Sequence, residues 1–264
     1  QLQGEANSTP SKTLVLTQAQ QTWVFTGVAQ PAVPSLLRGF SAPVVLEYDF
    51  SDAELLTQLA HDSDAFNRWE AGQRLALRYA LQAVRAQDAV PTTILPPDFV
   101  NALRDVLRHP TLDAAYKDLV LALPSEGYIA EQLGSVDPQR IHAVRESMRL
   151  QLACALQADW EWAFETYGDT GAYRPDPVST GKRALAGTAL LMLCLAAHVS
   201  GDTVWPGKAY QRFKDAGNMT DRFNALSALV HSNAELAKPA LQRFHAMFKD
   251  EPLVIDKWFA LQAG

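Results

Sequence analysis

The feature that most constrains this chain is a change of periodicity at Ser51. Before it, short β-branched and aromatic runs alternate with turn residues. After it, apolar side chains recur at helical spacing to the end of the chain, interrupted only by start and stop signals. The change itself is marked by Ser51-Asp52-Ala53-Glu54, a capping box in which the Ser hydroxyl takes an amide hydrogen three residues on and the Glu reaches back. A boundary near residue 50 is therefore expected, with residues 1–50 forming one unit and 51–264 the other.

The first unit reads as extended chain. Thr13 to Thr17 and Thr22 to Thr26 flank the polar turn Gln18 to Gln21 and predict a hairpin, and Pro43 to Tyr48 predicts a third strand. Three strands cannot hide both faces of a sheet. Together with a first residue, Gln1, that is not Met, this leads us to expect partner strands upstream in a longer polypeptide.

In the second unit Asp62-Ser63-Asp64 opens a long helix through Phe66, Trp69, Leu75 and Val84. Pro96-Pro97-Asp98 opens another that stops at His109-Pro110, and Thr111 starts the next. Asp137-Pro138 opens a helix expected to run unbroken past Cys154 and Trp160 to Tyr167-Gly168. Further helices are expected around Leu190, around Tyr210 and Phe213, from Thr220, from Glu235 and at Trp258. About ten helices in series with short connections suit stacked antiparallel pairs better than one bundle. No clean sequence repeat is present, so the predicted fold is mainly α: an irregular HEAT/ARM-like solenoid preceded by a small antiparallel β segment.

Composition narrows the function. Of 264 residues 48% are hydrophobic and 20% charged, an ordinary globular balance. The formal net charge is −6 and no run of basic residues occurs, which argues against nucleic acid and against anionic membranes. The apolar stretch Ala184 to Val199 is short of a membrane span and carries His198, so it predicts a buried helix. Cys154 and Cys194 each read as a small buried hydrophobe, consistent with a reducing, cytoplasmic setting.

The residues that usually carry chemistry do not converge. No two of His61, His109, His142, His198, His231 and His245 are closer than 14 positions, so no H-e-x-x-h zinc motif exists. No G-x-S-x-G or phosphate-cradling glycine loop is present. Glu161 and Glu165, near Asp159 and flanked by Trp160 and Trp162, form the one carboxylate cluster of interest. At helical spacing such acids are more often a solvated face, and the tryptophans more often pack than stack a ligand. We expect no catalytic, cofactor-binding or metal-binding residue in this chain.

Several strings nonetheless match a known family in order. Val33-Pro34-Ser35-Leu36-Leu37-Arg38-Gly39-Phe40-Ser41-Ala42-Pro43-Val44, then Leu46-Glu47-Tyr48, closely resembles the end of the Ig-like β-sandwich domain in the bacterial aminopeptidase N branch of the M1 zinc metallopeptidases. His61 to Ala71 resembles the opening of that family's C-terminal helical domain. Asp137-Pro138, Asn218 to Asp221 and Asp256 to Ala263 follow in the same order.

The resemblance covers essentially the whole chain. It implies a C-terminal fragment of an enzyme that removes N-terminal residues from peptides, with zinc in the parent and none here. In the family the zinc ligands and the G-x-M-e-n substrate motif lie in another domain; Met148, Met192, Met219 and Met247 are not followed by Glu. The implied partners are the parent's own catalytic domain and its peptide substrates, and the implied role is to wall the substrate chamber and limit access. Self-association of the fragment is expected from surfaces left bare. The alternative reading is a stand-alone helical-repeat adaptor that binds peptide or protein on its concave face.

Overall fold

A computed structural model describes residues 1–7, 9–86, 88–168 and 171–263; Gly264, placed above in the helical unit, lies outside the described residues. Among the described residues twelve α-helices follow one another after one 3-10 turn, Arg38–Phe40. They are α1 (Asp52–His61), α2 (Ala65–Arg85), α3 (Pro97–Arg108), α4 (Ala114–Leu121), α5 (Glu126–Glu131) and α6 (Pro138–Ala155). Then come α7 (Gln157–Tyr167), α8 (Pro177–Ser200), α9 (Val204–Asp215), α10 (Met219–His231), α11 (Ala237–Phe248) and α12 (Pro252–Ala263).

Side-chain caps explain most of the starts. The Ser51 box is complete: the Glu54 amide donates to Ser51 Oγ at 3.3 Å, and the Ser51 amide to Glu54 Oε2 at 2.8 Å. Asp64, Asp113, Ser125, Asp137, Asp176 and Asn218 each accept the amide three residues on, satisfying a donor that the helix itself leaves open. Two starts thus differ from expectation. Asp113, not Thr111, caps α4, and Asn218, not Thr220, caps α10. In both cases the carboxylate or amide oxygen lies at the right distance from the third amide.

Two helix ends are closed by arginines from later helices. Arg140 of α6 donates to the Val84, Ala83 and Asp88 carbonyls at 2.7, 2.8 and 3.0 Å, filling acceptors at the end of α2. Arg222 of α10 does the same for α9 through the Phe213 carbonyl at 2.7 Å and the Ala216 carbonyl. A guanidinium suits this task because its charge also meets the negative end of the helix dipole.

The expected single helix from Pro138 to Tyr167 is two. Leu156 leaves the helical region (φ −112°, ψ 21°) and separates α6 from α7. No Gly or Pro marks the break. Its cause is on α3, where Arg104 and Arg108 reach the Ala155 and Ala158 carbonyls and grip Asp159.

The twelve helices share one continuous core, from Phe50 to Leu261. Its axis is α8, which packs on α4, α6, α7, α9 and α10. This is the apolar stretch of the sequence; it is long and apolar enough to span a membrane by composition, but Leu185, Ala189, Leu190 and Leu193 to Ala197 are buried against other helices. Gly181 and Gly187 let its neighbours close in. A Cβ at Gly181 would lie 2.8 Å from the Ala115 amide nitrogen, and one at Gly187 would lie 2.4 Å from Asn224 Nδ2.

The first unit departs from the hairpin reading. Among the described residues the one pairing is an antiparallel bridge, Leu2 with Phe25, supported by Gln3 N to the Val24 carbonyl and Thr26 N to the Gln1 carbonyl, both 2.8 Å. Thr13 to Thr17 and Pro43 to Tyr48, both expected as strands, form none, and Val15 and Leu16 are about two-thirds exposed. A two-stranded ribbon with no apolar layer beneath it has little to hold it. Cys154 also differs from expectation: it is exposed on the outward face of α6, whereas Cys194 is buried.

Candidate functional site

The carboxylate cluster of the sequence is divided by the fold. Asp159, early in α7, accepts Arg104 Nε at 3.0 Å and Arg108 Nε at 2.7 Å. Both of its oxygens are thus engaged by guanidinium groups of α3. Glu161 accepts the Gln157 amide at 3.4 Å on its own helix. Trp160 is buried, its Nε1 donating to the Leu152 carbonyl at 3.1 Å. Trp162 lies beneath the Arg108 guanidinium, 4.2 Å from the ring centre, and meets Tyr167 edge-on at 5.8 Å.

Beside these rings the structure places a residue the sequence reading passed over. Lys117 of α4 is 1% exposed, donates from Nζ to the Tyr167 hydroxyl at 2.9 Å and faces the Trp162 and Tyr167 rings at 5.8 and 5.4 Å. Its position three residues after Ala114 and three before Val120, both core residues, was the signal. The rings supply the electrostatic partner that a carboxylate usually provides.

Glu165 points elsewhere, into a cavity of about 700 Å³ with Phe164, Tyr173, Lys208, Arg212 and Asp221. Asp221 is spent there on Arg212 Nη2 at 3.0 Å and Asn218 Nδ2 at 2.9 Å. Among the described lining residues there is no serine, threonine, cysteine or histidine.

The histidines remain apart. His61 ends α1 and His198 sits in the last turn of α8, both exposed. His109 terminates α3, its Nδ1 3.3 Å from the Thr111 amide. His142 pairs with Glu126 at 2.8 Å, and His245 lies over Trp258 at 5.0 Å. His231 is half-buried, and burial, with Arg149 nearby, holds its pKa below the usual histidine value. Among the described residues no group of three or more His, Cys, Asp or Glu could hold a metal ion. Burial pushes the Cys194 thiol up to about 12, which makes it inert as a nucleophile.

What the fold does assemble is a seam between residues 34–40 and the first two helices. Arg38 donates to Asp62 Oδ1, to Ser35 Oγ at 2.7 Å and to Ser63 Oγ at 2.8 Å. The Gly39 amide donates to Asp64 Oδ2 at 2.9 Å, and Asn67 Nδ2 to the Leu36 carbonyl at 2.9 Å. Gln58 reaches the Pro34 carbonyl at 2.7 Å. These contacts hold a turn in which Leu37 (φ 53°), Gly39 (φ 61°) and Phe40 (φ 55°) are all left-handed. For Leu and Phe this costs roughly 1 kcal/mol each, sustained by the surrounding bonds.

Comparison with known proteins adds the family. Residues 52–264 match DUF3458_C, a domain of unknown function described as ARM repeats. The chain belongs to the DUF3458_C family. Residues 1–49 match DUF3458, described as an Ig-like fold. Aminopeptidase N of Caulobacter vibrioides is 34% identical over 94% of this chain, and that of Escherichia coli 36% identical over 95%. The chain spans 28% of the length of each of these relatives. A crystal structure of Legionella pneumophila aminopeptidase A, in complex with aspartic acid, superposes with a TM-score of 0.73 at 26% identity, covering 92% of this chain and 29% of that one. This DUF3458_C chain is thus similar to a part of bacterial aminopeptidases, in an Ig-like and ARM-repeat arrangement.

Proposed function

We propose that this chain is the non-catalytic portion of an M1 zinc aminopeptidase, where it walls the substrate chamber and limits which peptides reach the catalytic domain. The observation that carries the reading is the alignment of nearly the whole chain with only 28% of proteins named aminopeptidase N. The zinc does not fit here, since the described residues offer no cluster of ligands; no step of peptide hydrolysis is assigned to this chain. Its catalytic-site set is empty on this reading, its partners are the parent's catalytic domain and, through it, peptides, and the setting is the bacterial cytoplasm.

The test compares the full-length protein with this chain on an aminoacyl-anilide and on a folded protein with an accessible N-terminus. The full-length protein with zinc should cleave the anilide and leave the folded protein intact, while this chain cleaves neither. Zinc-dependent cleavage by this chain alone, or trimming of the folded protein at a rate similar to that of the anilide, would overturn the proposal.

A further inference from the structure

The cavity of about 700 Å³ is lined by the end of α7, the loop from α7 to α8, and α9. Lys208, Gln211, Arg212 and Asp215 recur at helical spacing, so one face of α9 forms a wall. Most charges of the lining are spent on one another: Arg212 pairs with Asp221, and the Gln211 amide donates to Asp215. Two are not. Lys208 Nζ lies over the Trp205 ring, 4.0 Å from its centre, and pairs with no described carboxylate. Glu165 of α7 accepts no hydrogen bond from a described residue. An ammonium and a carboxylate therefore line one space without pairing with each other. Phe164 and Tyr173 add rings to the same lining, and Tyr173 is 55% exposed yet pinned. Arg183 of α8, 2% exposed, sits 4.8 Å from the Tyr173 ring centre and donates to the Arg174 carbonyl at 2.9 Å. Its Nε has no partner, and no described carboxylate neutralises it. A buried guanidinium is costly to desolvate, and this one is committed to holding a loop and its ring at the cavity.

We propose that this cavity binds a small zwitterion, an α-amino acid or a short peptide with both ends free, through Glu165 at its ammonium group, Lys208 at its carboxylate, and Tyr173 and Phe164 at its apolar side chain. Each end of such a ligand meets the charge that the protein leaves without a partner. A phosphate would meet Glu165 and a polyamine would meet Lys208, so neither single-sign ligand suits the pair. The volume lies within the range of small-molecule sites, about 300 to 1,000 Å³. Ion pairs at exposed side chains are individually weak, so the expected Kd is on the order of 1 mM. The site is made by this chain's own residues and is present whether or not the parent protein cleaves peptides.

The test titrates this chain with leucine, leucyl-leucine, N-acetyl-leucyl-leucine and leucyl-leucine amide, and follows by NMR the backbone amides of Ala216 and Gly217, which lie in the lining. Leucine or leucyl-leucine should shift both signals with a Kd on the order of 1 mM. The tighter of the two identifies the source, a free amino acid or a peptide. Blocking either end of the dipeptide should weaken binding about fivefold. Glu165→Gln should bring the free dipeptide to the level of the acetylated one and leave the acetylated one unchanged; Lys208→Met should do the same relative to the amide. Both side chains are exposed, so neither substitution threatens folding. Lys249→Met, outside the lining, should bind as the parent does. Three results would overturn the proposal: no shift from either unblocked probe well above that concentration, equal binding of blocked and free dipeptides, or loss of affinity in only one or neither of the two cavity variants.

Discussion

At the scale of single residues, Asp118 shows what placing a carboxylate between two helices does. It is largely buried on α4, where it accepts the Thr188 hydroxyl of α8 at 2.6 Å. Burial raises its pKa, and the hydroxyl only partly offsets this. The folded protein therefore holds the Asp118 proton more tightly than the unfolded chain does. Its contribution is most favourable below the ordinary carboxylate range and is lost as pH rises through the raised folded value. Asp118→Asn keeps an acceptor for Thr188 and removes the charge. The variant should be more stable than the parent in urea melts at pH 7, with the advantage gone at pH 3.5. An advantage of the same size at both pH values would show that the charge is not the cause.

At the scale of elements, α8 depends on the absence of two side chains. The rigid Ala115 backbone faces Gly181, whereas the end of the Asn224 side chain, bonded to the Arg183 carbonyl at 3.2 Å, faces Gly187. Alanine is favoured over glycine within a helix by about 1 kcal/mol. Crowding should outweigh this at Gly181, where a backbone must move. Gly181→Ala is expected to cost about 1–3 kcal/mol, and Gly187→Ala less because Asn224 can rotate. Chemical denaturation showing both variants stabilised would refute the close packing.

The same scale shows what the sequence could tell. Caps are local, so the Ser51 box and the Asp64 and Asp137-Pro138 starts were legible residue by residue. The break at Leu156 was not, because the arginines that hold it lie some fifty positions earlier. The pairing of Phe25 with Leu2 was hidden for a similar reason: local alternation identifies an extended run but not its partner. Of the candidate site, the dispersion of the histidines was plain from their spacing, whereas the separation of Asp159 from Glu165 and the burial of Lys117 needed the fold.

At the scale of the whole molecule, apolar surface is left bare at both ends. Leu253, Phe259 and Met247 are 83%, 59% and 45% exposed along α11 and α12. At the other end Val45 is 91% exposed beside Val44 and Leu46. Apolar groups grouped in this way favour association, while a net charge of −6 opposes it at low ionic strength. The sedimentation coefficient of this chain should therefore rise with concentration, and rise further when salt screens the repulsion. Leu253→Ser with Phe259→Ser should suppress the effect, because α12 offers the broader apolar face, and Phe40→Ser should not. A single species across the accessible concentrations at both low and high salt would mean that these faces are too small or too dispersed to hold a second copy.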